Sequence, residues 1–370
     1  MIKKHRLEDR DNEKASTITL NENVVTIETE KSGKARATEK TFTYNNEASE
    51  YFEKKEWELL KKGFVLHSDS TMIGDPILHY FIGGFFTGAL SFEETLSGIF
   101  IYKANGDGLD DELMVINEVG KKVDAIKLPE PLVWDIKFNK DNDSLLLDID
   151  HHIYQYSMSK KHFTDLTGRC KQPGSFITIS SGNIAYASLP KLIITNAKMP
   201  CNLMVEISAS LYGGHTHICC AALSSNGNTL ALHLNAGEIQ LLNTNTGKLI
   251  KTINDDFTLL RQMEFINNDT QIVALEQYGK LKMCYFDIAS GEKVNYNELE
   301  MSNISKFCVS KTSNKLVILS YKTVYVYDIL KKELLTKFKI IHMIKTANVK
   351  FIGEKLGVRT DYGCFSIYNV

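Results

Sequence analysis

From about residue 86 to residue 370 the chain repeats one pattern, an apolar strand that ends on a small or polar residue and enters a turn. The copies read ELMVIN at 112–117, IYQYS at 153–157, LIITN at 192–196, IQLLN at 239–243, MCYFD at 283–287, VYVYD at 324–328 and FSIYN at 365–369. Their last residues are Asn117, Ser157, Asn196, Asn243, Asp287, Asp328 and Asn369, and they stand 39 to 47 residues apart. A period of about 40 to 45 residues with four short strands per unit is the signature of a β-propeller.

The pattern has a physical reading. In VYVYD and MCYFD, β-branched and aromatic residues line both sides of the pleat, as a strand buried between two blades requires. The terminal Asp or Asn folds its side chain onto the backbone ahead and starts a tight turn, most plainly at Asn243, Asp287 and Asp328. A shorter apolar strand follows, such as KLIKTI at 248–253 or ELLTKF at 333–338, and two more precede each hairpin. This arrangement resembles the WD-repeat family. Gly214-His215, Asp287, Asp328 and the turn residues match that family's pattern, while no copy retains its Trp. The resemblance implies propeller topology, with His215, Asn243, Asp287, Asp328 and Asn369 as structural turn residues.

Seven copies imply seven blades, with six as the alternative because the 86–129 copy is the least regular. The last copy, from residue 348, has only three strands. The apolar segment 77–82 is the natural donor of the fourth, and closing the ring this way removes exposed sheet edges. The propeller is therefore expected over 76–370, after a linker at 68–75.

Residues 1–67 are of another kind. The first 15 are charged and almost without large apolar residues, so a mobile tail is expected there. Over 16–67 the sequence implies a small α+β domain: a strand pair in TITLNENVVTIETE, a third strand at 35–42, and a helix from about 45 to 62 that Asn45 or Asn46 caps and Gly63 ends. Its apolar face would be Ala48, Tyr51, Phe52, Lys55, Leu59 and Leu60.

The stretch from Val24 to Val65, with Lys40-Thr41-Phe42, Glu47-Ala48 and Leu59-Leu60-Lys61-Lys62-Gly63-Phe64, is similar to the WGR domain of poly(ADP-ribose) polymerases and many bacterial proteins. The resemblance implies a bacterial source and, in the polymerases, a surface that contacts DNA. The Trp-Gly-Arg triplet itself falls on Glu28, Thr29 and Glu30, and two carboxylates there should repel phosphate.

Charge points the same way. Residues 1–66 hold 13 Lys or Arg and 13 Asp or Glu, and the whole chain carries a net charge of −2, whereas a nucleic-acid binder usually shows a basic patch. Lys31, Lys34, Arg36 and Lys40 are the exception, a basic run around the Gly33 turn and the candidate nucleic-acid contact. The competing reading is a solvated hairpin edge blunted by charge.

No apolar run approaches the roughly 20 residues that span a bilayer, and the N-terminus lacks the apolar core of a signal peptide. The seven cysteines, Cys170, Cys201, Cys219, Cys220, Cys284, Cys308 and Cys364, are odd in number and fall mostly in expected strands, as reduced thiols of a cytoplasmic protein would.

Catalytic chemistry finds no motif: there is no phosphate loop, nucleophile elbow or Cys/His/Asn pattern. His215, His217 and Cys219 would share one face of a strand, but they rise about 13 Å along it, too far for one metal ion. His151-His152 beside Asp148 and Asp150, and the cluster of Asp107, Asp110 and Asp111, read as solvated turns. Phe85, Phe86, Phe92 and Trp134 read as core aromatics. The sequence thus implies a non-catalytic scaffold or adaptor that uses propeller loops and channel to hold a protein partner, with no cofactor and no membrane. The alternatives are a nucleic-acid-associated regulator working through the WGR-like domain and a hydrolase with its site at the channel.

Overall fold

Repetition at forty residues becomes, in a computed structural model of the chain, a ring of small antiparallel sheets. The structure describes residues 2–106, 109–168, 174–196, 202–209, 211–212, 216–217, 219–276, 282–294, 301, 303–310 and 312–370. Six blades stand as separate sheets: four strands each over 92–127, 133–165, 175–206, 220–254 and 304–339, and three described strands over 260–287. A short pair, Leu211–Tyr212 with Thr216–His217, lies between the third and fourth.

The rest of the ring is one sheet of nine strands. Its N-terminal part contains β1 (Ile2–Asp9), β2 (Lys14–Asn21), β3 (Val24–Lys31), β4 (Lys34–Thr41), β5 (Val65–His67) and β6 (Pro76–Phe81), with the helix α1 (Asn45–Leu60) between β4 and β5. In this sheet β6 pairs on one side with β5 and on the other with Cys364–Tyr368, which continues into Lys355–Thr360 and Ala347–Ile352. Innermost strands touch in sequence around the ring, and Ala347–Ile352 touches both Ile304–Ser310 and Phe92–Thr95, so the circle is closed. Six is the number of separate blades; the closing strands do not form a seventh separate sheet, because β5 and β1 carry the ladder onward from β6.

The core lies between blades. Phe92, Ile101, Phe365 and Ile116 are fully buried between the closing sheet and the first blade, and Phe92 meets Phe365 edge-on at 5.2 Å. Burying such side chains is worth about 1.5–3 kcal/mol each. The turn residues act locally. Asn243 Oδ1 accepts from the backbone N–H of Asn245 and Thr246, Asp287 from Ser290, and Asp328 from Leu330 and Lys331. Asn369 instead donates its amide to the Ser70 carbonyl.

Two expectations for the N-terminal segment are corrected. The first residues are not a free tail: β1 pairs with β2 along its full length, and Leu7 and His5 are buried beneath α1. Six charges in the first ten residues hid two inward-facing positions, which is all a sheet strand needs. The helix buries Ala48, Phe52, Glu56, Trp57 and Leu60, a face rotated from the expected one toward Glu56 and Trp57. Its first turn is closed by Glu47, whose carboxylate accepts from the Tyr44 N–H at 3.4 Å, rather than by Asn45 or Asn46.

Candidate functional site

α1 is seated on the ring by a buried polar cluster. Glu56 is wholly buried, and its carboxylate accepts from His5 and, at 2.6 Å, from His342 Nε2. His79 Nε2 stands 3.6 Å from the same oxygen, while His79 Nδ1 meets Ser366 Oγ at 2.7 Å. The four side chains come from β1, α1, β6 and the 340–346 connection, so the cluster ties three parts of the chain together. Burial alone would push the Glu56 carboxyl up, but the charge of His5 and the hydrogen bonds from His342 and His5 hold it well below the usual range. Burial drives His79 well below the ordinary histidine value, against the pull of Glu56.

One residue on, Trp57 is buried against the ring, only 6% exposed. It stacks on Tyr362 at 4.3 Å and on His342 at 5.0 Å, and it meets Phe81 edge-on at 5.2 Å. Trp57, Phe81 and Tyr362 line a groove of about 260 Å³ together with Phe85, Phe86, Lys61, Asp361 and Arg359. Phe85 and Phe86 are 59% and 57% exposed and Trp134 is 40% exposed, which overturns their reading as core; only Phe92 is buried. The connection that carries Phe85 and Phe86 is set by Gly83 and Gly84, with φ of +70° and +87°; a Cβ on Gly84 would lie 2.5 Å from the Ala104 carbonyl oxygen. Such a connection is outside any strand pattern, so no periodicity marked its aromatics as exposed.

The channel through the ring is a charged cavity of about 240 Å³. Lys350 donates to Glu93 at 3.0 Å, to Asp135 at 2.9 Å and to the Ile136 carbonyl at 2.8 Å, linking the closing sheet to the first two blades. Burial would lift the Asp135 carboxyl, but Lys137 and Lys350 hold it at about 2. Lys306 is pulled down to about 8 by burial and by the neighbouring Arg261. At one mouth Ser175 Oγ donates to Asp148 at 2.6 Å, and His151 Nδ1 meets the same hydroxyl at 2.9 Å. Burial pushes Asp148 up to about 7. Ser175 thus sits between the carboxyl of Asp148 and the imidazole of His151. That order differs from the serine-to-imidazole-to-carboxylate relay of a nucleophilic site. The positive φ of Asp150 and His151, +46° and +68°, belongs to their two-residue hairpin turn.

Lys31, Lys34, Arg36 and Lys40 lie on one face of the N-terminal sheet, because Lys31 opposes Lys34 and the β4 residues alternate from there. Lys14, opposite Lys31, extends the basic row. Glu28 and Glu30 point to the other face, where Arg6 pairs with Glu30 at 3.0 Å. Lys40 is engaged, lying 4.7 Å over the Phe42 ring and 4.6 Å over Tyr51. The sheet also contains α1 on its basic face, which the register fixes through Ile18 opposite Ile27.

His215 and Gly214, and with them the His215/His217/Cys219 arrangement, lie outside the described residues in whole or in part, as do Asp107, Cys170 and Cys201. Among the described residues no group of three His, Cys, Asp or Glu is placed to hold a metal ion. Cys220, Cys284, Cys308 and Cys364 are thiols that form no disulfide. No described helix is long and apolar enough to cross a membrane.

No protein-family model matches the sequence, and no curated protein matches it either. Solved structures do resemble the fold. A chain of the crystal structure of the Mitotic Checkpoint Complex superposes with a TM-score of 0.61 at 11% identity, over 82% of this chain and 96% of that one. The β-propeller domain of Cps50 (Swd1) from Myceliophteria thermophila does so with a TM-score of 0.57 at 8% identity, over 78% and 98%. At such identities the likeness is one of fold: a WD-repeat-like β-propeller, mainly β with very little helix.

Proposed function

We propose that this chain is a non-catalytic protein-interaction scaffold that docks a partner on the aromatic face where α1 meets the ring. The observation that carries this reading is the exposure of Phe85, Phe86, Trp134 and Tyr362 together with the groove that three of them line. Exposed aromatics around a concavity are typical of interface anchors, and rigid rings display their loops with little entropic loss on binding. One fold neighbour is a component of a multiprotein complex by its title, which agrees with such a role. The closing strands read as a seventh blade, and a cytoplasmic setting fits the thiols of Cys220, Cys284, Cys308 and Cys364, which form no disulfide.

A second reading rests on the basic row of Lys31, Lys34 and Arg36 on an exposed sheet face, which could meet a polyanion if the N-terminal unit is WGR-like in use as well as in outline. Affinity purification of the tagged protein from its native cells, with and without nuclease, separates the two. A stoichiometric protein retained after nuclease supports the scaffold. Recovery that needs nucleic acid, and that Lys31→Glu with Arg36→Glu abolishes, supports the regulator and contradicts the scaffold.

A further inference from the structure

We propose that the groove beside α1 is a carboxylate-recognition site: it takes a partner's acidic residue, seated on Arg359, together with an adjoining aromatic or apolar side chain held among Phe85, Phe86 and Tyr362. This deepens the scaffold reading and rests on it for the location of the partner.

Arg359, only 5% exposed, is a buried cation that forms no ion pair among the described residues. Its Nη1 donates to the Thr360 carbonyl at 3.0 Å and its Nη2 to the Gly83 carbonyl at 3.5 Å, while its Nε is buried without a hydrogen-bond partner. Asp361 lines the same groove and attracts Arg359 without pairing with it, because its two oxygens accept from the backbone N–H groups of Ile344, Lys345 and Thr346 at 2.8, 2.7 and 2.9 Å. A guanidinium removed from water without an anion is costly, and the cost falls when a carboxylate docks on the planar fork. Burial also pulls the Arg359 pKa down to about 10, against the attraction of Cys364 and Asp361.

The surroundings of Arg359 set the rest of the ligand. Its groove neighbours are the rings of Trp57, Phe81, Phe85, Phe86 and Tyr362, with Lys61 at the end of α1 adding a second positive charge and Asp361 a negative one. Aromatic walls favour a planar or apolar group beside the anion. With Arg359 and Lys61 positive and Asp361 negative, the groove carries one net positive charge, which favours a carboxylate over a phosphate dianion. The volume, about 260 Å³, suits one or two side chains rather than a folded element.

The chemistry can be tested without knowing the partner. N-acetyl-phenylalanine carries a carboxylate and an aromatic ring; its amide has the same shape without the charge. Titration of the full chain with each, followed by calorimetry or by the fluorescence of Trp57, is expected to show the acid bound at least about tenfold more tightly, the scale of one charged hydrogen bond. Arg359→Met should erase that preference, and Phe85→Ala should weaken both ligands while keeping it. Lys61→Met, on the exposed end of α1, should reduce the preference in part and cannot unfold the ring, so the test survives a failure of Arg359→Met to fold. Equal affinity for acid and amide, no saturable binding of either, or a preference that persists in Arg359→Met overturns the proposal. Tighter binding of phenyl phosphate than of the acid overturns the choice of carboxylate. If Phe85→Ala with Phe86→Ala loses a captured partner while Arg359→Met retains it, the docking face stands and this inference falls.

Discussion

At the scale of single residues, the fate of Glu56 shows how a polar side chain can be the fastening of a fold. A carboxylate with no solvent exposure persists because His5 and His342 bond it and His79 stands beside it. Removing one partner from such a buried pair leaves the others uncompensated, so Glu56→Ala should cost about 3–5 kcal/mol in denaturant unfolding. The pH dependence follows from the two shifted groups. His79 has its folded pKa depressed, so the unfolded chain binds the extra proton first and stability falls as pH drops below the ordinary histidine value of 6.5. Glu56 is also depressed, and its contribution is lost only as pH falls below the ordinary 4.5 toward its lower folded value. Unfolding measured between pH 7 and 4 should therefore show a loss that begins near 6.5, and His79→Phe should flatten that first part. A stability that is level from pH 7 to 5 would contradict this account of the cluster.

At the scale of elements, what the sequence made legible was whatever repeats. The strands ending at Asn243, Asp287 and Asp328 could be read because alternation and turn chemistry act within a few residues and recur. β1 could not, because its inward positions, His5 and Leu7, are two residues among charges and are recognisable only against β2 and α1. Glu56 and Trp57 were hidden for a related reason: an acidic residue and its neighbour on a helix read as solvent-facing until the ring supplies His342 and Tyr362 to meet them. Closure of the ring is where these elements depend on one another. Phe365 is fully buried between the closing sheet and the first blade, and Phe365→Ala should cost about 3–5 kcal/mol, observed as a lower unfolding midpoint with the cooperative slope retained. Gly84→Ala should destabilise by more than about 1 kcal/mol and displace Phe85, since it puts a Cβ both at positive φ and against the Ala104 carbonyl.

At the scale of the whole molecule, the ring and the N-terminal unit share one continuous sheet, and the aromatic face lies where they meet. The period of the sequence gave away the propeller but not this face, because Phe85 and Phe86 sit in a connection and their exposure depends on how α1 and the turn at Tyr362 are placed around them. The charged channel, in which Lys350 joins Glu93 to Asp135, is a rigid centre that holds the display in register. The most direct measurement is quantitative capture from native cells with the wild-type chain and with the Phe85→Ser, Phe86→Ser double variant, whose folding is checked by its unfolding midpoint. The docking account predicts one nuclease-resistant partner that the wild type retains and the folded variant loses. Equal recovery of that partner by both proteins would contradict it.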